Sequence, residues 1–371
     1  MTDRPHRRVA VIFGGRSAEH EVSVASAQSV LAALDPARYD VVTIGIDKQG
    51  RWHRLDALPG PGGTTEGLPA IGIDDGPEVA LARRPGEAAL VAEDGTRQRI
   101  DVVFPVLHGP FGEDGTIQGM LELAGVPYVG SGVLGSALGI DKAVQKVLFT
   151  AWGLPVAPFE VVHERDWQRD RESVEARATS LGLPLFIKPA TLGSSVGITK
   201  VKQPDEFRPA VEVALSYARK AVVERSVEGA REIECAVLGN DDPVASVPGE
   251  IVPEAEFYDY RAKYVAEETR LEIPADLPGS IEREIRRMAV AAFKAIEAAG
   301  MARVDFFFRP PEEIMVNEIN TIPGFTAISM YPKLWEASGL TYRELVDRLV
   351  DLAIDRHQKE RKRGRTLAEP G

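Results

Sequence analysis

RVDFFFRPPEEIMVNEIN, residues Arg303–Asn320, has the composition of two strands about a turn. Val304–Phe308 is β-branched and aromatic, Pro310–Glu313 is turn-like, and Ile314–Asn320 is apolar-rich again. A hairpin closed by the four residues Pro310–Glu313 sets Arg309 opposite Ile314, Asp305 opposite Glu318 and Arg303 opposite Asn320. Side chains alternate faces along a strand, so Arg303, Asp305, Glu318 and Asn320 project from one side. Two carboxylates directly across from each other repel unless a cation lies between them. With the Asn320 amide oxygen they make an all-oxygen, anionic ligand set. Such a set suits Mg²⁺, which keeps several waters and shares its other positions with phosphates. The blander reading is a surface hairpin whose charges face water. Phe307 and Val316 fall on the same expected face, which favours the metal.

Length and charge narrow the field. The chain has 371 residues, enough for two or three domains with full cores. A net charge of −12 disfavours nucleic acid, whose phosphates call for a basic face. The single cysteine, Cys235, excludes an internal disulfide and lies in an apolar strand-like run, as a buried inert thiol would. No apolar run reaches membrane-spanning length, and Met1–Arg8 lacks a signal-peptide core, so a cytoplasmic protein is expected.

Toward the N-terminus, Val9–Phe13 is a short apolar run stopping at Gly14-Gly15, as a buried parallel strand would. A helix from about Glu21 to Leu34 follows, then strands at Tyr39–Ile46, Ile100–Leu107 and Val126–Val129, with a helix through Ile117, Leu121 and Ala124. This alternation predicts an open parallel α/β sheet with ligands at the carboxyl ends of its strands. Gly60–Gly95 is Gly- and Pro-rich and reads as an insertion or a loop with a hairpin. In GGRSAEHEVS, Gly14–Ser23, an acid at the site mouth (Glu19 or Glu21) could hold an ammonium, or simply complement the helix dipole. His108 and GPFGEDG read either as a ligand-contacting edge or as a loop whose Glu113 and Asp114 cap a helix.

The middle of the chain opens at a Gly/Ser-rich junction, Ser131–Gly139, followed by the helix Lys142–Trp152, a strand Phe159–Val162 and a charged helix Asp166–Leu181. Strand Leu185–Lys188, loop PATLGSSVG and strand Gly197–Val201 form a flap that can cover a triphosphate. Its donors would be backbone N–H groups and the Ser194 and Ser195 hydroxyls, with Lys142 and Lys188 as point charges. Glu224 and Glu232, on the strands Ala221–Val227 and Glu232–Leu238, suit adenine or ribose contacts, or serve as strand-edge charges. Pro253–Pro274 is long, charged and rich in tyrosine, as a lid would be. Ile281–Ile296 reads as an amphipathic core helix. Gly324 allows close backbone approach and an N–H toward an oxyanion. Thr341–Glu344 fits a capping box for the helix Tyr342–Ile354, and the basic tail Arg356–Arg365 reads as solvated and frayed.

Taken together, from about Val9 to Leu352, the chain resembles the D-alanine–D-alanine ligases of the ATP-grasp superfamily. The matching pieces are Gly14-Gly15-x-Ser17-x-Glu19-x-Glu21-Val22-Ser23, His108-Gly109-x-x-Gly112-Glu113-Asp114-Gly115, and Lys188-Pro189 before Gly193-Ser194-Ser195-Val196-Gly197. Tyr258-Asp259-Tyr260 with Lys263-Tyr264, Arg303-Val304-Asp305, and Asn317-Glu318-x-Asn320-Thr321-x-Pro323-Gly324 complete them. Each is weak alone; six in one order are specific.

The resemblance implies an α/β chain, α+β in its C-terminal two thirds, of three domains. These are an N-terminal substrate-binding domain (1–130), a central ATP-grasp domain with the flap (131–223) and a C-terminal one with metal site and lid (224–371). It implies that Asp305, Glu318 and Asn320 hold two Mg²⁺ or Mn²⁺ ions, a monovalent cation being compatible. Lys142, Lys188, Ser194, Ser195, Glu224, Glu232, Lys263 and Asn317 would bind ATP. Glu21, linked through Ser194 to Tyr264, would anchor the first D-alanine's ammonium, near His108 and Tyr258. Arg303 and Gly324 would serve the oxyanion, Lys263 the transferred phosphate and Ser329 the second D-alanine's carboxylate. A homodimer making D-alanyl-D-alanine for peptidoglycan is the implied whole. Another ATP-grasp ligase, including the D-alanyl-D-lactate type, and a non-catalytic ATP-binding module are the alternatives.

Overall fold

The computed structural model describes residues 6–56, 76–82, 88–252 and 270–368, the side chains to Arg363. The chain opens with β1 (Arg7–Gly14), α1 (His20–Ala33), β2 (Tyr39–Ile46) and β3 (Trp52–Leu55). The strands β4 (Val79–Leu81), β5 (Ala89–Ala92) and β6 (Arg97–Arg99) form a small antiparallel sheet of their own, where a hairpin was expected. After β7 (Val102–Val106) the first sheet is complete, in the order β3-β2-β1-β7. β1 runs parallel to β2 and β7, but β3 is antiparallel to β2. The strands β1, β2 and β7 thus run parallel as expected; β3, not read from the sequence, adds an antiparallel edge, because a tight turn closed on Asp47 joins it to β2 and a parallel crossover needs a dozen or more residues. Val126–Val129 adds one parallel bridge, Val103 to Tyr128, instead of a full strand.

Three helices follow, α2 (Thr116–Ala124), α3 (Val133–Ile140) and α4 (Lys142–Ala151). The Ser131–Gly139 junction is thus mostly helical. Its glycines serve close packing: a Cβ on Gly135 would sit 2.6 Å from the Glu297 carbonyl, and one on Gly139 2.6 Å from the Thr321 methyl.

The second large sheet is antiparallel in the order β10-β9-β11-β8, from β8 (Phe159–His163), β9 (Leu185–Pro189), β10 (Thr199–Val201) and β11 (Lys220–Arg225). The charged helix between β8 and β9 is two, α5 (Glu164–Arg169) and α6 (Arg171–Thr179), because Asp170 turns out of the helix to cap the Ser173 N–H. Helix α7 (Phe207–Tyr217), buried on Phe207, Ala210, Val211 and Ala214, covers this sheet.

The third large sheet comprises β12 (Arg231–Gly239), β13 (Val244–Ala245), β14 (Gly249–Val252), β15 (Arg270–Glu272), β16 (Gly300–Arg309) and β17 (Glu313–Asn320). Its path is β15-β14-β12-β16-β17, with β13 beside β12. Helix α8 (Gly279–Ala295) packs Ile285, Met288, Ala292 and Phe293 against Val304, Phe306 and Val316. Helices α9 (Met330–Ala337) and α10 (Tyr342–Ala368) end the fold. Leu345, Val346, Leu349 and Val350 of α10 share one core with Val9, Val11 and Phe104 of the first sheet and Leu238 and Met301 of the third. The tail is not frayed at Arg356, whose guanidinium donates to the Gly130 and Tyr128 carbonyls and lies 4.5 Å from the Tyr128 ring centroid.

The hairpin β16–β17 pairs Arg303 with Asn320 and Asp305 with Glu318, as expected. Nearer the turn the register shifts by one: Arg309 pairs with Glu313, not Ile314, and Phe306 with Val316. Asn317 is the extra residue of a β-bulge. Val316 is therefore buried on the core face, opposite Glu318, and only Phe307 of the expected apolar neighbours shares the acidic face.

Candidate active site

On β16–β17 the acids are already matched by cations. Arg303 donates Nε to Asp305 Oδ1 and Nη2 to Oδ2, both at 2.7 Å, and its Nε lies 3.0 Å from Glu234 Oε2. Asn320 Nδ2 donates to Asp305 Oδ2 at 3.1 Å. Glu318 Oε2 is 3.2 Å from Lys142 Nζ. Two acids in register with an amide beside them fit a divalent cation, whose charge would take the place of the basic groups paired with them. Glu234 was not singled out from the sequence; it pairs with Asp305 across β12–β16 and shares the acidic face.

Behind the hairpin lies a buried charge cluster. Glu224 on β11 receives Lys188 Nζ at 2.8 Å on Oε2 and Lys146 Nζ at 3.2 Å on Oε1. Lys188 Nζ is also 3.5 Å from Asn317 Oδ1. Burial favours protonating Glu224, but the two lysines outweigh it and hold its carboxyl below the ordinary range. Burial likewise works against the Lys188 charge, yet Glu224 and Glu318 raise its pKa. For Lys146, the most enclosed of the three, burial prevails and the pKa falls. Glu224, expected near adenine, has its carboxylate between two ammonium groups. Lys146 was not read from the sequence, although it follows Lys142 at helical i,i+4 spacing and so shares its face. Glu232 pairs with Phe307 and lies on the same face of the third sheet as Asp305.

The flap reaches the first sheet. Ser194 and Ser195 have left-handed backbone, φ 51° and 60°, and Ser194 Oγ donates to Glu19 Oε1. A Cβ on Gly193 would stand 3.2 Å from Glu19 Oε2. Lys142 Nζ donates to the Leu192 carbonyl at 2.8 Å, tying the flap to α4. The acid facing Ser194 is Glu19, not Glu21. Glu21 turns the other way to Lys48 Nζ at 2.5 Å; burial opposes its charge, but that lysine lowers its pKa. Glu21 is one residue into α1 and Glu19 precedes it in the loop, so the two carboxylates cannot share a direction.

His108 is buried at the end of β7. Its ring nitrogens lie 3.1 Å from the Ile322 carbonyl and 3.2 Å from Ser26 Oγ, with Glu113 Oε1 at 3.6 Å. Burial disfavours its charged form, but Glu113 and Glu19 more than offset that and raise its pKa. Of the two acids read as capping a helix, Asp114 accepts the Thr116 N–H at the start of α2, while Glu113 faces His108 and the Gly109 N–H. A cavity of about 200 Å³ opens here, lined by Gly14, Gly15, Leu107, His108 and Phe111 at the carboxyl ends of β1 and β7. After the hairpin, Phe325 N–H reaches back to Ser26 Oγ. Ser329 Oγ accepts the Thr326 N–H, and a Cβ on Gly324 would stand 3.1 Å from that oxygen. Tyr258, Lys263 and Tyr264, with most of the expected lid, lie outside the described residues.

Two antiparallel sheets meeting across a lysine-lined cleft, one carrying a flap and the other paired acids, are the architecture of the ATP-grasp fold. Family profiles for the D-ala D-ala ligase N-terminus and C-terminus match residues 8–131 and 148–351. The chain belongs to the D-alanine–D-alanine ligase family. It is 48% identical over 354 residues to the D-alanine–D-alanine ligase of Solibacter usitatus, covering 95% of this chain and 97% of that one. D-alanine–D-alanine ligase A of Escherichia coli is 46% identical over 364 residues, with 94% and 96% covered. Among solved structures, the D-alanine-D-alanine ligase from Coxiella burnetii superposes with a TM-score of 0.85 at 41% identity, covering 98% of each chain. The VanG D-Ala:D-Ser ligase from Enterococcus faecalis gives 0.82 at 36% identity, covering 94% of this chain and 99% of that one.

Proposed function

We propose that the chain joins two D-alanine molecules at the expense of ATP, through a D-alanyl phosphate. The observation that carries this is the continuous run of contacts in which Asp305 and Glu318 face one another, Lys142 joins Glu318 to the flap, and the flap's Ser194 meets Glu19. Divalent ions held by Asp305, Glu318 and Asn320 would supply neutralising charge to the phosphates. Lys142, Lys188 and the donors of Ser194 and Ser195 orient those phosphates, with Asn317 beside Lys188. Glu232 receives the ribose hydroxyls. Glu224, enclosed by two lysines, acts by holding Lys188 in place. Glu19 takes the ammonium role that the family resemblance had placed on Glu21, with His108 lining that subsite and Tyr258 and Tyr264 closing it.

The γ-phosphoryl group passes to the first D-alanine carboxylate and ADP leaves. The second amine attacks the acyl carbon and gives up a proton as phosphate departs. Arg303 and the Gly324 N–H stabilise the oxyanion between these steps, Ser329 holds the second carboxylate and Lys263 reaches the transferred phosphate. An acyl phosphate hydrolyses readily, which is the reason for a water-excluding lid. Peptidoglycan precursor synthesis by a cytoplasmic homodimer is the setting.

Phosphate release is measured with D-alanine, D-serine, D-lactate, L-alanine and glycine as second substrates. Turnover is expected with D-alanine; ATP hydrolysis indifferent to D-alanine sinks the proposal. Glu318→Ala is expected to abolish turnover with the fold intact, and activity within about tenfold of wild type refutes the metal assignment.

A further inference from the structure

β17 is an edge strand, and its outer rim would expose unpaired backbone groups next to Glu318. Helix α4 and the residues after it cover that rim. Val316 N–H donates to the Pro155 carbonyl at 2.8 Å, and Lys146 Nζ donates to the Asn317 carbonyl at 3.3 Å. Gln145 does more. Its Oε1 accepts the Ile319 N–H at 3.1 Å while its Nε2 donates to the Ile319 carbonyl at 3.1 Å and to Gly139 O. One buried amide thus occupies both backbone groups of the residue following Glu318, as a neighbouring strand would. The same helix face carries Lys142, which touches Glu318 itself.

The parity of β17 makes this clip matter. Ile314 and Val316 face the core, and only the bulge at Asn317 lets Ile319 face it too while Glu318 turns outward. Without the bulge the strand slips by one residue and Glu318 is driven toward the apolar side. We propose that Gln145 is a positioning residue for the metal-binding carboxylate: by clipping Ile319 it fixes the bulged register that keeps Glu318 opposite Asp305. This rests on the metal site proposed above.

The test is Mn²⁺ binding to the enzyme with ADP, followed by electron paramagnetic resonance, for wild type and Gln145→Met, a substitution of similar size that can make none of these bonds. Unfolding midpoints and KM values for D-alanine and ATP are measured on the same samples. Mn²⁺ affinity is expected to weaken about tenfold, with KM for D-alanine within about twofold of wild type. Wild-type Mn²⁺ affinity in the variant overturns the proposal, as does a parallel loss of Mn²⁺ and D-alanine affinity, which would mark general loosening. Absence of Mn²⁺ binding in wild type would instead overturn the metal site. Gln145→Asn, whose amide is drawn back by one methylene from both backbone groups of Ile319, is the second variant should Gln145→Met not fold; the same outcomes decide it.

Discussion

Glu19 and Glu21 show how far a motif carries a residue. Both acids sit in GGRSAEHEVS, and nothing in the local sequence distinguishes a loop carboxylate from one inside the first helical turn. The distinction comes from Ser194, which is remote in sequence and contacts Glu19, while Lys48 takes Glu21. Glu19→Gln is therefore expected to lower kcat/KM for D-alanine on the order of 100-fold, through loss of a charge-assisted contact. Glu21→Gln, which breaks a partly exposed pair, should stay within about threefold. Steady-state phosphate release checks both, and the reverse ranking would restore Glu21. Glu224 makes a second case. Replacing it with glutamine leaves Lys146 and Lys188 buried without their counter-charge, a loss of about 3 kcal/mol. Because its folded pKa lies below the ordinary 4.5, its contribution is full above that pH and is lost as pH falls through the lowered value. Urea unfolding of wild type and Glu224→Gln should show a gap that is widest near neutrality and closes in acid; a gap independent of pH would refute the pairing.

The longer elements were legible where the periodicity was long or the composition strong. The amphipathic run Ile281–Ile296 is α8 to within two residues, and the Thr341–Glu344 capping box is made as written, the Glu344 carboxylate accepting the Thr341 N–H at 3.0 Å. The bulge was legible too and was missed. Ile314, Val316 and Ile319 are spaced by two and then three, and that break in period is how a strand turns one acid outward. Helix α7 was not read from the sequence: a proline turn precedes it and Pro209 lies in its own first turn. For α4 the caps matter as much as the face. Asp141 accepts the Ala143 and Val144 N–H groups at 3.1 Å and pairs with Lys220. Asp141→Ala should cost about 1 kcal/mol. Since α4 carries Lys142, Gln145 and Lys146, the same change should raise KM for ATP more than KM for D-alanine. Equal changes in the two constants would show that the helix start does not bear on the nucleotide side.

No local pattern reveals how the last helix closes the molecule. Polar contacts that hold it are separated by most of the chain: the ion pairs Arg7–Asp351 at 2.9 Å and Arg343–Asp35 at 2.8 Å, and the Tyr39 hydroxyl donating to Asp347 at 2.7 Å. From sequence the segment after Arg356 is a basic run without apolar period, and basic runs at chain ends are ordinarily solvated. Arg356 departs from that rule because its guanidinium finds two carbonyls at the end of the Tyr128 bridge and an aromatic face beneath it. Its contribution combines charge-assisted hydrogen bonds with a cation–π contact in a largely enclosed setting, so Arg356→Ala should lower the unfolding free energy by about 2 kcal/mol. Lys359, one turn further on, is exposed between Asp241 and Asp355, and Lys359→Ala should leave the unfolding midpoint unchanged. Chemical denaturation of the two variants against wild type separates a docked helix end from a solvated one. If both substitutions prove neutral, Arg356 adds nothing to closure, which then rests on the apolar stripe Leu345–Val350 and the three contacts named above.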